Sequence, residues 1–175
     1  MLELLGRRRS IRKFTDGVLS DPQIEALVYA GLLAPSAKNR KPVELFFVRD
    51  RAMVARLVGC RDAGGDALRT AALAVAVTAD PAVSDVWEED ASIAATQIFL
   101  EAEALGLGCC WIQVRRRPCG EGTAEDAARR MLDIPERLSV LCLLAIGYKD
   151  ETKEDYDLSK LDQSKVQLSL RRLLY

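Results

Sequence analysis

The chain of 175 residues contains no histidine, and that one gap removes a large block of chemistry. A Ser-His-Asp or Cys-His triad, a His-ligated zinc or iron and an imidazole proton shuttle are all excluded. Aromatic residues are scarce at 6%, and 25 Lys and Arg face 26 Asp and Glu for a net charge of −1. That balance disfavours a nucleic-acid surface held by bulk charge or base stacking. No apolar run approaches the ~18–20 residues needed to span a bilayer, so no membrane segment is expected. The start, MLELLGRRRSIRKF, places its positive charge after a very short apolar run, the reverse of a secretory signal. The cysteines Cys60, Cys109, Cys110, Cys119 and Cys142 are odd in number and none stands in a CxxC pair. A disulfide framework is therefore disfavoured and a cytoplasmic address expected. Cys110 and Cys142 read as small buried hydrophobes. Adjacent Cys109 and Cys110 leave a strained vicinal disulfide as an alternative. Any catalysis must rest on other side chains or on a cofactor with its own reactivity.

What is present is a folding composition: 49% of residues are hydrophobic and 29% charged, which predicts one domain over residues 1–175. Leu2 to Arg8 suits a short helix with a basic end. Ser20-Asp21-Pro22-Gln23 is a helix start with a capping box and an early proline. Ile24, Leu27, Val28 and Leu32 continue it at helical spacing, and it should stop before Pro35. Short apolar runs predict strands at Val43–Val48, Leu73–Thr78, Gly108–Val114 and Val140–Tyr148. Helices are expected from about Asp50 to Val58, from Glu89 to Leu105 with Gly106 as C-terminal cap, and from Thr123 to about Leu132. Weak alternation at Val166, Leu168 and Leu170 suits a strand or an extended arm. Two helices precede the first strand, and no glycine-rich phosphate loop follows any strand. Gly106-Leu107-Gly108 comes after a helix and before a strand, the wrong order for a dinucleotide fingerprint. The expected class is α+β, with a mixed or antiparallel central sheet flanked by helices on both faces.

Three segments carry chemical potential. Arg7 to Phe14 (RRRSIRKF) offers guanidinium, hydroxyl and backbone donors around a serine, suited to a phosphate monoester. The plainer alternative is a solvated basic patch. Ala34 to Pro42 (APSAKNRKP) specifies a rigid loop able to approach a flat ligand, or simply ends a helix. Gly106 to Gln113 (GLGCCWIQ) lets something planar lie against backbone, or turns a glycine corner into a core strand. Two further clusters read as structural. Trp87-Glu88-Glu89-Asp90 sets acids against a helix N-terminus rather than a metal. Arg115-Arg116-Arg117-Pro118 is a solvated turn, with selection of a phosphorylated nicotinamide as the alternative.

Taken in order, RRRSIRKF, APSAKNRKP, the stretch ADP…WEEDASIAATQIFLEAEALGLGCCWI and LLAIGYKDE resemble the nitroreductase family of FMN-dependent oxidoreductases. The tail YDLSKLDQSKV resembles the ending of its shorter members. The resemblance covers nearly the whole chain. It implies an intertwined homodimer with two FMN sites at the interface, residues 150–175 serving as an arm that packs on the partner subunit. It also implies ping-pong hydride transfer from NADH or NADPH to quinones, nitroaromatics or similar small acceptors, with no membrane or nucleic acid involved.

Carried over by position, Arg8, Arg9 and Ser10 match the phosphate segment of the family. Arg12 matches its basic residue at the pyrimidine end of the flavin. Pro35, Ser36, Ala37 and Asn39 match the loop that the partner lays on the cofactor. Gln113 and Val114 fall where backbone approaches the hydride-accepting nitrogen, and Lys160 near the C-terminal phosphate cation, with Lys165 a second candidate. No side chain is expected to act as acid or base, because the chemistry resides on the flavin and a fixed arginine stabilises its reduced, anionic edge. The sequence departs from the family at Ala37 in Pro-Ser-Ser, at Lys41-Pro42-Val43 in Gln-Pro-Trp, and at Cys109 in Gly-Ser-Cys-Trp. These changes point to an open pocket with few specificity contacts. Two alternatives remain: a specialised flavoenzyme of the same fold, of the reductive dehalogenase or flavin-fragmenting kind, and a non-catalytic flavin-binding module.

Overall fold

The computed structural model describes residues 1–166. Helix α1 covers Leu2–Arg7. Helix α2, Asp21–Leu32, starts at Ser20 with both halves of the capping box made: the Ser20 hydroxyl accepts from the Gln23 N–H, and the Gln23 side chain accepts from the Ser20 N–H. Strand β1 is Val43–Val48. Helix α3, Arg51–Arg56, is capped by the Asp50 carboxylate, which accepts from the N–H groups of Ala52 and Met53. It is shorter than expected because the chain tightens into a 3-10 turn at Leu57–Cys60. Strand β2 is Leu73–Ala79, followed by the long helix α4, Trp87–Ala104. Gly106, at φ +75°, then supplies the left-handed residue that ends the helix. Strand β3 is Leu107–Gln113. A two-residue hairpin, β4 (Pro118–Cys119) and β5 (Gly122–Thr123), leads into α5 (Ala124–Met131), capped by the Thr123 hydroxyl. Strand β6 is Ser139–Tyr148.

The four long strands form one sheet in the order β1-β2-β6-β3. Every pairing within it is antiparallel. The parallel component is a single bridge from Ser10 to Cys109 at the outer edge of β3. Central strands β2 and β6 read as unbroken apolar runs because helices cover both faces. Alternation along β2 sends Val75 and Val77 toward Leu27, Ala95 and Ile98 of α2 and α4. Ala74 and Ala76 point the other way, toward Val54 of α3 and Ala128 of α5. The register shifts at Val77/Thr78, leaving Leu141 of β6 as the extra residue of a bulge. The Leu141 carbonyl then accepts from the N–H groups of Val114 and Arg115, at 3.3 and 3.0 Å.

Strand alternation also excludes the vicinal disulfide. Cys109 packs in the cluster on the α4 face and Cys110 in the cluster on the α5 face, so their side chains diverge. Among the described residues all five cysteines are free thiols. No described helix is long and apolar enough to cross a membrane. Leu168 and Leu170, two of the three positions of the alternation expected in the tail, lie outside the described residues; Val166 is exposed.

Candidate functional site

The basic segment leaves α1 and runs along the free edge of β3, where the Ile11 N–H donates to the Cys109 carbonyl at 3.0 Å. Close approach is possible because Gly108 has no side chain: a Cβ there would stand 2.8 Å from Ile11 Cβ. The group packed against this glycine is thus the Ile11 side chain of the same chain, which favours the reading of a glycine corner into a core strand. The arginines diverge. Arg7 Nε donates to buried Glu103 at 3.0 Å, and Arg8 stacks over the Phe99 ring of α4 at 4.8 Å. Arg9 stacks over Tyr156 at 4.6 Å and donates to the Glu154 carbonyl. The Arg12 N–H donates to the Glu151 carboxylate. That bond and a second from Lys153 hold Glu151 below the usual carboxylate range. Burial pushes the Cys110 thiol up, and the charge of Arg12 pulls it partly back. Between the segment and the turn after β6 lies an open cleft of about 660 Å³, lined by Arg7, Arg9 and Ile11 on one side and Lys149 to Lys153 on the other.

The second segment is held rigidly. Lys38, Asn39 and Lys41 adopt φ of 51°, 54° and 52°, a left-handed conformation that costs a non-glycine residue about 1 kcal/mol or more. Several bonds offset that cost. The Ala37 N–H donates to Asp90 Oδ1 at 2.7 Å, and the other oxygen of Asp90 accepts from the Ser84 hydroxyl at 2.8 Å. The Ser36 hydroxyl accepts from the Lys41 N–H at 2.9 Å, and Lys41 Nζ donates to the Ala34 carbonyl at 3.1 Å. The acids at the start of α4 are therefore employed within the chain: Asp90 anchors this loop, and Glu88 pairs with Arg115, which also stacks over Trp87.

At the far end of β3 the Gln113 carbonyl accepts from Arg61 Nη1 at 2.7 Å. Its side chain bridges the Trp111 indole N–H, at 2.9 Å, and the Arg115 carbonyl, at 3.0 Å. Val114 is fully buried and its N–H is given to Leu141, so Gln113 is the member of the pair that faces the strand edge. Arg61 Nε is buried with no partner among the described residues.

One chain brings Arg9, Ser10, Arg12 and Gln113 to the same strand, β3, but leaves Pro35, Ser36, Ala37 and Asn39 elsewhere. Asp90, which anchors the loop, and Phe99, beneath Arg8, are nine residues apart on α4, about 13 Å at 1.5 Å per residue. Lys160 is exposed and pairs with Asp157 at 3.4 Å, and Lys165 likewise pairs with Asp162. The residues of the C-terminal stretch that reach the basic segment are instead Asp150, whose N–H donates to the Lys13 carbonyl, Glu151, Glu154 and Tyr156. The sequence reading missed Glu103, Lys149, Lys153 and Arg61. Glu103 carried a signal: an acid in the last turn of an alanine-rich helix opposes the macrodipole and calls for cationic partners. Lys149, Lys153 and Arg61 carried none, since each is an unremarkable cation until the fold sets it at the cleft or at the end of β3.

The nitroreductase family profile matches residues 5–81 and 60–148. A solved structure, an FMN-dependent nitroreductase from Clostridium difficile R20291, superposes with a TM-score of 0.94 at 42% identity, over 97% of this chain and 99% of that one. A curated protein of Archaeoglobus fulgidus, provisionally named an NADH dehydrogenase/NAD(P)H nitroreductase, is 36% identical over 160 residues, covering 89% of each chain. The NADPH-flavin oxidoreductase of Vibrio harveyi is 29% identical over 171 residues, covering 87% of this chain and 67% of its own.

Proposed function

Because the chain belongs to the nitroreductase family, we propose that it is an FMN-dependent oxidoreductase that uses NADH or NADPH to reduce small acceptors such as quinones and nitroaromatics, as a cytoplasmic homodimer. The observation that carries this reading is the cleft of about 660 Å³ beside the edge of β3, where Arg7, Arg9, Lys149 and Lys153 face one volume. That volume lies within the ~300–1,000 Å³ common for small-ligand sites. Its donor set suits a dianionic phosphate monoester. FMN, when bound, would supply the hydride chemistry that no amino-acid side chain can.

The residues then divide the work. Arg9, with Ser10 beside it and Lys149 and Lys153 opposite, holds the phosphate. Arg12, which follows Ile11 along the edge of β3, would place a fixed positive charge near the ring system, where it favours the reduced form. Gln113 offers strand-edge backbone further along β3. Pro35, Ser36, Ala37 and Asn39 stand too far along α4 to complete the same cleft, and their rigid, strained loop suits delivery to the cofactor of a partner subunit. Orientation of two flat reactants in one slot supplies the barrier reduction, and alternating occupancy gives ping-pong kinetics.

The test is anaerobic. Purified protein should be yellow, should bleach with NADH or NADPH, and should regain colour with a quinone or a nitroaromatic. A colourless protein that fails to bind added FMN would sink the proposal. Bound FMN that neither nicotinamide reduces would instead favour the non-catalytic flavin module.

A further inference from the structure

Two cysteines have no part in the proposed flavin site, and the fold brings them together from distant parts of the chain. The 3-10 turn at Leu57–Cys60 and the β4–β5 hairpin are stitched to each other. The Asp62 N–H donates to the Pro118 carbonyl at 3.3 Å, and the Asp62 carboxylate accepts from the Gly120 N–H at 2.8 Å. The Cys119 thiol donates to the carbonyl of Gly59, the residue before Cys60, at 3.4 Å. Cys60 is fully buried, and Cys119 packs against the same apolar cluster from its partly exposed side. The remaining cysteines form no comparable pair. Cys109 and Cys110 diverge to opposite faces of the sheet. Cys142 shares a face with Cys109 but pairs with Gln113, four register positions away, about 13 Å along the strand and too far to bridge.

We propose that Cys60 and Cys119 are a reversible disulfide site, oxidised by exchange with a low-molecular-weight disulfide of the glutathione type. The Cys119 thiolate attacks one sulfur of the small disulfide, forming a mixed disulfide and releasing one thiolate. The Cys60 thiolate then attacks the Cys119 sulfur, closing the internal bond and releasing the second. Two protein thiols are oxidised, one small disulfide is reduced to two thiols, and no other electron acceptor is needed. Burial pushes the Cys60 thiol up to about 11, so Cys119, with its access to solvent, is the entry point and Cys60 the resolving partner. Closure fixes the hairpin against the turn that carries Arg61, whose guanidinium holds the Gln113 carbonyl. Oxidation is therefore communicated through Arg61 to the Gln113 carbonyl at the end of β3.

The test uses the full chain, fully reduced and then incubated with oxidised glutathione at about pH 8.5, the ordinary thiol pKa. The intact mass should fall by two hydrogens, and a non-reducing tryptic digest should show the Leu57–Arg61 peptide joined to the one carrying Cys119. Dithiothreitol should reverse both. The Cys119→Ser variant, altered at a half-buried position, should leave Cys60 reduced and give no cross-link. An unchanged mass, a lasting glutathione adduct on Cys119 beside free Cys60, or a cross-link confined to Cys109, Cys110 and Cys142 would each overturn the proposal. None of these readouts depends on bound flavin.

Discussion

The carboxylate of Glu103 lies 2.8 Å from Lys149 Nζ at the last turn of α4, with its side chain 4% exposed. The same carboxylate receives Arg7 at 3.0 Å, so one buried anion joins the end of α1, the end of α4 and the end of β6. It stands behind the wall of the cleft and fixes two of the cations that line it.

The first prediction concerns that joint. Glu103→Gln leaves behind two cations that still reach water, Arg7 at 45% and Lys149 at 29% side-chain exposure, so its cost should be about 1–2 kcal/mol. Removing both cations in Arg7→Ala with Lys149→Ala strands a buried anion and should cost about 3–5 kcal/mol. Urea unfolding of the three variants checks the order. A Glu103 variant costlier than the double cation variant would contradict it.

Asp90→Ala leaves the Ala37 N–H and the Ser84 hydroxyl without their acceptor. We expect a loss of about 1–3 kcal/mol and release of the strained loop at residues 37–41. Calorimetry reads the first effect. Retention of FMN through gel filtration reads the second and should fall, since the loop is proposed to complete the cofactor site.

Gly108→Ala should destabilise by about 1–3 kcal/mol, because the new methyl meets Ile11 Cβ and Cγ2 at 2.8 Å. Thermal melts should show partial recovery when Ile11→Ala is added. Purely additive losses would mean that the two positions do not touch.

For the phosphate end, Arg9→Ala and Lys153→Ala should each weaken FMN by about tenfold, the loss of one charge-assisted hydrogen bond, and leave riboflavin unchanged. Fluorescence titration with both flavins separates a phosphate contact from a general disturbance, which would weaken the two alike.

The acid limb of stability should involve Glu151. Its pKa is lowered in the folded chain, first by the Arg12 N–H and then by Lys153. The stabilisation is complete above the ordinary glutamate value. It erodes as pH falls below that value and is gone once pH has passed the depressed folded value. Glu151→Gln should therefore be less stable than wild type at neutral pH and converge with it in acid. Parallel denaturant midpoints against pH test the convergence.

Much of this protein was written locally. The capping box at Ser20, the C-terminal glycine at Gly106 and the apolar runs of β1, β2, β3 and β6 rest on interactions within a few residues, which any sequence window contains. The ordered basic, proline-loop and glycine segments, which carry the resemblance to the FMN-dependent nitroreductase family, are likewise legible in the sequence. What only the tertiary structure decided depends on pairs distant in sequence. Ile11 fills the space over Gly108, Glu103 gathers Arg7 and Lys149, Glu151 caps the Arg12 backbone, and Cys119 reaches the turn of Cys60. The separation of the loop at residues 35–39 from the basic segment belongs to the same class, because the length of α4 sets it. Local propensity is additive along the chain and can be read there, whereas charge pairing and close packing exist only once the sheet has brought remote strands and helices together.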